Sequence, residues 1–265
     1  VIDTHCHLTF PDFAGRVPEV LDEAARHGVE GCITVGTTTD NALECLALAE
    51  RHDRVWCTAG VHPLYADRAP HQWDNLARAI LHPRCVAWGE LGLDRHHPTP
   101  DYSLQRRVLD EHIAIILATR RDAPAIARKP VVLHCRDAFD ELIPILRSSG
   151  LDTSRMVFHC FTGTPDDARK VLDMGAWLGF TGVLTYRNAE PVRQAARLCP
   201  LDRLLVETDA PYLSPDPHRG VRPCEPWMAS VTARRLAQVK DVAWDDFHRQ
   251  LDDNTRRFFG IGERP

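Results

Sequence analysis

The feature that most constrains this chain is what stands at the ends of its apolar runs. Eight short segments read as strands: Val1–His5, Gly31–Val35, Val55–Val61, Cys85–Glu90, Val131–His134, Met156–His159, Trp177–Thr181 and Leu204–Glu207. Several are continuously apolar, as parallel strands buried on both faces must be. Six of the eight run into a chemically capable residue at the C-terminal end: DTHCH, GVHP, GELGLD, HCR, HCFTG and ETDAPY. Packing alone does not place such residues repeatedly at the same end of unrelated strands.

Helical patterns separate the strands. Val17–His27 stops before Gly28, a plausible helix-terminating glycine. Asp40–His52 has Asp40 as its expected N-cap. Leu104, Val108, Leu109, Ile113, Ile116 and Leu117 form one apolar stripe at helical spacing. Thr164–Met174 opens with a capping Thr, a proline and two acids. Ala229–Val239 and Asp245–Phe258 follow the same period. The stretch from Ala118 to Pro130 is the least regular connection. Eightfold strand–helix alternation predicts an α/β fold, a (β/α)8 TIM barrel, with an open parallel sheet as the alternative. Residues 1–265 are expected to form one domain.

In a barrel the C-terminal strand ends converge on one face, where active sites are built. His5 and His7 are two residues apart, so a strand presents both on one side, where they can share an ion. A hydrogen-bonded surface pair is the plain alternative; the other strand ends favour ligation. Glu90 closes an apolar strand, and a buried carboxylate must be paired, protonated or metal-bound. His134 and His159 end neighbouring strands beside it, favouring a second ion. Closure of the barrel brings Asp209 beside His5 and His7, where it can ligate and accept a proton from water. The expected cofactors are two divalent metal ions drawn from Zn²⁺, Mn²⁺, Fe²⁺ or Mg²⁺, and a set of four histidines and two carboxylates suits the first three better. Cys6, Cys135 and Cys160 each neighbour a histidine and are expected to face outward. No nucleophile-elbow, phosphate-loop or dinucleotide fingerprint is present.

Nine scattered cysteines, an odd number without a CxxC pair, argue against a disulfide framework and for a reducing compartment. VIDTHC carries no leader pattern and no apolar run reaches membrane-spanning length, so a cytoplasmic protein without membrane contact is expected. A net charge of −5 argues against wrapping a long duplex.

Taken together, DTHCHL (3–8), GVHP (60–63), GELGLD (89–94), HCRDAF (134–139), HCFTG (159–163), ETDAPYLSP (207–215) and DNTRRFF (253–259) resemble the TatD family of metal-dependent deoxyribonucleases, among the amidohydrolase-like barrels. The resemblance runs essentially end to end. It implies a first metal on His5, His7 and Asp209, a second on His134 and His159, and Glu90 bridging them. It also implies a substrate contact at His62 and basic substrate-binding positions at Arg136, Arg219 and Arg222. Asp209, Glu90 and His62 are the expected catalytic residues. Two departures stand out. Cys224 occupies a position where Asn is usual, and Arg95, His96 and His97 replace an aromatic pair after GLD.

The expected activity is phosphodiester hydrolysis, trimming ends of single-stranded or frayed DNA, with no obligate protein partner. The rival on the same ions is hydrolysis of an amide, ester or lactone. A rival of another class is a non-catalytic, metal-stabilised scaffold.

Overall fold

The computed structural model describes residues 1–262. Eight parallel strands pair strictly in chain order. They are β1 (Ile2–Cys6), β2 (Gly31–Thr34), β3 (Val55–Ala59), β4 (Cys85–Asp94), β5 (Val131–Arg136), β6 (Met156–Phe158), β7 (Trp177–Phe180) and β8 (Leu204–Val206). The last strand returns to the first. The Asp209 amide donates to the His5 carbonyl at 2.8 Å, and the His7 amide to the Ala210 carbonyl at 2.8 Å. This is the expected TIM-type barrel, nearly closed.

Among the described residues nine α-helices accompany them: α1 (Val17–Arg26), α2 (Thr39–Arg51), α3 (Trp73–Leu81), α4 (Tyr102–Asp122), α5 (Phe139–Ser148), α6 (Pro165–Asp173), α7 (Glu190–Leu198), α8 (Ala229–Lys240) and α9 (Trp244–Phe259). Helix α6 starts as its sequence predicts: the Thr164 hydroxyl accepts from the Asp167 amide while the Asp167 carboxylate accepts from the Thr164 amide. The start of α2 differs from expectation. Thr38, not Asp40, is the cap, its hydroxyl accepting from the Asn41 amide. The irregular stretch before Pro130 is mostly helix, because α4 continues through Arg120 and Arg121 to Asp122 before a single 3-10 turn at Pro124–Ile126.

Two apolar layers hold the barrel. The outer one lies between strands and helices and includes Cys32, Cys57 and Cys85. The inner one joins Ile2, Ile33, Val132, Val157, Trp177 and Leu205, and α9 adds Phe258 and Phe259 to it. The Trp177 and Phe258 rings lie 4.8 Å apart. Burying a side chain of this size contributes about 1.5–3 kcal/mol, so α9 stabilises the strand N-termini and leaves the opposite face free for chemistry. No described helix is long and apolar enough to cross a membrane.

Candidate metal centre

All the strand-end residues singled out in the sequence except Arg219 meet at one cavity of about 700 Å³ or just beneath its floor. Strand β4 does the most unusual work. It runs four residues past Glu90, to Asp94, and shifts register against β5 between Trp88 and Leu91. Gly92 makes that path possible. Its φ is +150°, and a Cβ there would sit 1.9 Å from the His134 carbonyl oxygen. Only glycine lets the two strands approach this closely.

Glu90, wholly buried, is the hub. One oxygen lies 3.3 Å from His5 Nε2; the other lies 3.0 Å from His134 Nδ1, 3.5 Å from His62 Nε2 and in contact with His159 Nε2. Burial alone pushes its carboxyl upward, but His159, His62, His5 and His134 together hold it well below the usual carboxylate range. Asp209 faces it, 3.4 Å from His7 Nε2 and 3.7 Å from His5 Nε2. Burial opposes its charge as well, and the three histidines His7, His5 and His159 outweigh that and keep it ionised.

Ring tautomers sort the histidines into candidate ligands and donors. His7 Nδ1 lies 3.3 Å from the Val35 carbonyl, so it must be the protonated nitrogen, and Nε2 presents a lone pair toward Asp209. His134 Nε2 lies 3.0 Å from buried Asp94 Oδ2, which leaves its Nδ1 lone pair facing Glu90. His5 is buried with both ring nitrogens lacking a hydrogen bond, and its ring stacks on that of His159 at 3.9 Å. Orphaned imidazole nitrogens amid carboxylates are what an ion-binding set looks like without its ion. Donor atoms of His5, His7 and Glu90 lie within 4.8 Å of one another, as do those of His5, His159 and Asp209. This chemistry fits divalent metal.

His62 behaves differently. It also lies within 4.8 Å of Glu90 and His134. Its Nδ1, however, accepts from the Leu64 amide at 3.0 Å. Burial lowers its pKa to about 3, so the ring is neutral and the proton sits on Nε2. A nitrogen carrying a proton is a donor, not a metal ligand.

The remaining predicted residues divide. Arg136 and Arg222 are exposed and line the cavity, and neither guanidinium has an ion-pair partner among the described residues. Arg219 does not line it; its guanidinium lies 4.1 Å over the Tyr186 ring. Cys6 packs outward as expected. Cys135 joins the same outer layer, as expected, although it also touches the cavity, whereas Cys160 departs from expectation and faces the cavity. Cys160 has φ +43°, which breaks the strand alternation that would have turned it away. Cys224 is buried with its thiol beside Met228 Sδ, 3.6 Å away.

Sequence reasoning missed the residues that orient the ligands. Asp94 holds His134, and Glu207 accepts from Thr4 Oγ1 at 3.2 Å and stands 3.6 Å from His159 Nδ1. Asp3 accepts from the Thr208 hydroxyl at 2.6 Å and the Thr208 amide at 2.9 Å, tying β1 to the segment that carries Asp209. The signal was available: each is an acid inside an apolar motif already carrying a ligand. An aromatic lip of Phe10, Tyr65 and Tyr212 also escaped notice.

Comparison with known proteins agrees with this geometry. The family model described as TatD related DNase matches residues 2–260. The chain is 38% identical over 264 residues to the uncharacterized metal-dependent hydrolase YcfH of Escherichia coli K12, covering 98% of this chain and 96% of the relative. It is 35% identical to the 3'-5' ssDNA/RNA exonuclease TatD of Enterobacter lignolyticus, covering 98% and 99%. Among solved structures, the TatD homolog YjjV of Escherichia coli K12 superposes with a TM-score of 0.89 at 30% identity, covering 98% of each chain.

Proposed function

The chain belongs to the TatD related DNase family of metal-dependent hydrolases, and from that premise we propose that it hydrolyses phosphodiester bonds at the ends of single-stranded or frayed DNA, using two divalent ions. The observation that carries this reading is the lining of the cavity. Its floor is the histidine–carboxylate cluster, its rim bears Arg136 and Arg222, neither with an ion-pair partner among the described residues, and its lip is the trio Phe10, Tyr65 and Tyr212. Guanidinium groups suit phosphate, and exposed aromatic faces stack bases of any sequence. An amide or lactone substrate needs neither. The name of the Enterobacter relative supports a 3'-to-5' direction.

His5, His7 and Asp209 would hold one ion and His134 and His159 the other, with Glu90 shared. Ions bound there would supply Lewis acidity, making water nucleophilic at neutral pH and offsetting charge on the scissile phosphate. The chain's own groups do the rest. Asp209, kept ionised, accepts the proton given up by the attacking water at a carboxylate oxygen. His62 donates through Nε2 to a phosphate oxygen, its ring locked by the Leu64 amide. Arg136 and Arg222 bind the backbone, and the aromatic lip holds terminal bases.

The test is a panel of end-labelled single- and double-stranded DNA and RNA, assayed with Mn²⁺, Zn²⁺ and Mg²⁺ beside amide, ester and lactone substrates. Stepwise, chelator-sensitive release of 5'-mononucleotides supports the reading. Turnover confined to the carbonyl substrates would replace it with the rival hydrolase. No turnover of any substrate would point to the scaffold.

A further inference from the structure

The three residues that replace an aromatic pair after GLD are sorted by the structure, and only one faces the cavity. Arg95 is held away from it. Its guanidinium makes two hydrogen bonds to Glu141, at 2.9 and 2.7 Å, and lies 3.3 Å over the Tyr102 ring. His96 is exposed and pairs with Asp137 at 3.3 Å. His97 lines the cavity with its side chain 42% exposed.

The His97 ring is fixed from behind. Its Nδ1 lies 3.1 Å from both oxygens of Asp94, and its backbone amide donates to Asp94 Oδ1 at 2.9 Å. Asp94 is itself immovable: Gln105 Oε1 accepts from its amide at 2.9 Å and Gln105 Nε2 donates to its carbonyl at 3.0 Å. With Nδ1 committed to a carboxylate, Nε2 is the free end of the ring. Arg136 is the register partner of Asp94 on β5 and lines the same cavity with its guanidinium unpaired among the described residues. His97 and Arg136 therefore both line the cavity from its β4–β5 edge. The aromatic lip comes from the loops after β1, β3 and β8.

We propose that His97 and Arg136 form a subsite for a second backbone phosphate, the one flanking the scissile bond, so that the site grips a strand and not a single nucleotide. The inference rests on the phosphodiester reading above and deepens it. A ring whose Nδ1 proton goes to Asp94 can donate through Nε2 only when doubly protonated. The charged and titratable groups around it are Asp94, His96 with its ring 5.1 Å away, and Arg136. Asp137 and Glu141 are engaged by His96 and Arg95.

The test compares decathymidylate, which has flanking phosphates, with the p-nitrophenyl ester of thymidine 5'-monophosphate, which has none. His97→Phe and His97→Gln are each measured on the metal-loaded enzyme. A charge-assisted hydrogen bond at a partly exposed site is worth about five- to tenfold in binding. KM for decathymidylate should rise by about that factor at pH 6.5 in both variants, with kcat and the p-nitrophenyl ester within about twofold of wild type. Equal KM values in wild type and variants overturn the subsite. So does an equal loss on both substrates, which would mean that His97 acts through Asp94 and His134. A wild type that cleaves neither substrate overturns the phosphodiester reading and the subsite with it.

Discussion

Asp94→Asn isolates the orienting shell from the ligands themselves. The Asp94 carboxylate is wholly buried and accepts from His134 Nε2 at 3.0 Å. Burial pushes its pKa up, but His134 and His97 pull it well below the usual carboxylate range, so the group is ionised. Burial opposes the His134 charge, and the hydrogen bond it donates to Asp94, with the Glu90 carboxylate beside its other nitrogen, reverses this and raises its pKa. A basic, fixed imidazole is a better ligand, and loss of such an outer partner costs about 10- to 100-fold in metal affinity. A buried charged hydrogen bond of about 1.5–3 kcal/mol converts to the same range. The His97 amide and His134 Nε2 bond different Asp94 oxygens, so asparagine keeps an acceptor for only one of them and turns an NH2 toward the other, but the change is isosteric and the fold should survive. Calorimetric titration of the apo-protein with Mn²⁺ should show the site on His134 weakened about 10- to 100-fold and the site on His5 and His7 nearly unchanged. Cleavage at saturating Mn²⁺ should recover to within about fivefold of wild type. Unchanged Mn²⁺ affinity at both sites would refute the reasoning, because it would make the Asp94–His134 contact irrelevant to ligation.

Other changes test other parts. Gly92→Ala forces a Cβ to within 1.9 Å of the His134 carbonyl oxygen at φ +150°, and should cost at least about 4 kcal/mol in urea unfolding; a loss under 1 kcal/mol would mean that β4 relaxes freely. His112 is buried with neither ring nitrogen hydrogen-bonded, and burial, then repulsion from His71, lowers its pKa from 6.5 to about 3. Between those values the unfolded chain binds the proton and the folded one does not, so stability falls as pH drops below 6.5. His112→Leu should therefore gain about 2 kcal/mol on wild type between pH 7 and pH 5 in metal-free buffer, and a constant difference would contradict the assignment. Tyr212→Ala removes a half-exposed ring from the lip and should raise KM for oligonucleotides about 5- to 100-fold; an unchanged KM would remove stacking from the account.

The barrel and its six candidate donors were legible because both depend on local pattern. An apolar run of four or five residues ending in a polar one specifies a buried strand and the face its end reaches. Where local chemistry was degenerate, the reading slipped. Thr38 and Asp40 are both good caps, and only tertiary placement chose the first. Helix α3 spans nine residues, too short for its apolar stripe to stand out. Asp94 and Glu207 stand inside motifs that mark them as acids near the site, but what each one holds was not legible, because their partners, His134 and Thr4, are distant in sequence. Cys160 faced the cavity against expectation because one left-handed residue cancels the two-residue period of a strand. His62 and His159 both approach Glu90, and no spacing rule distinguishes ligand from donor; the Leu64 amide does.

That distinction leads to the most direct measurement of the central claim, that six donors form one two-ion hydrolytic centre. Crystals loaded with Mn²⁺ and measured at the manganese absorption edge should give two anomalous peaks about 3.5–4 Å apart. One should touch His5, His7 and Asp209, the other His134 and His159, and both Glu90, with His62 outside bonding distance of either. A single peak, or a second ion held by His62 in place of His159, would contradict the account.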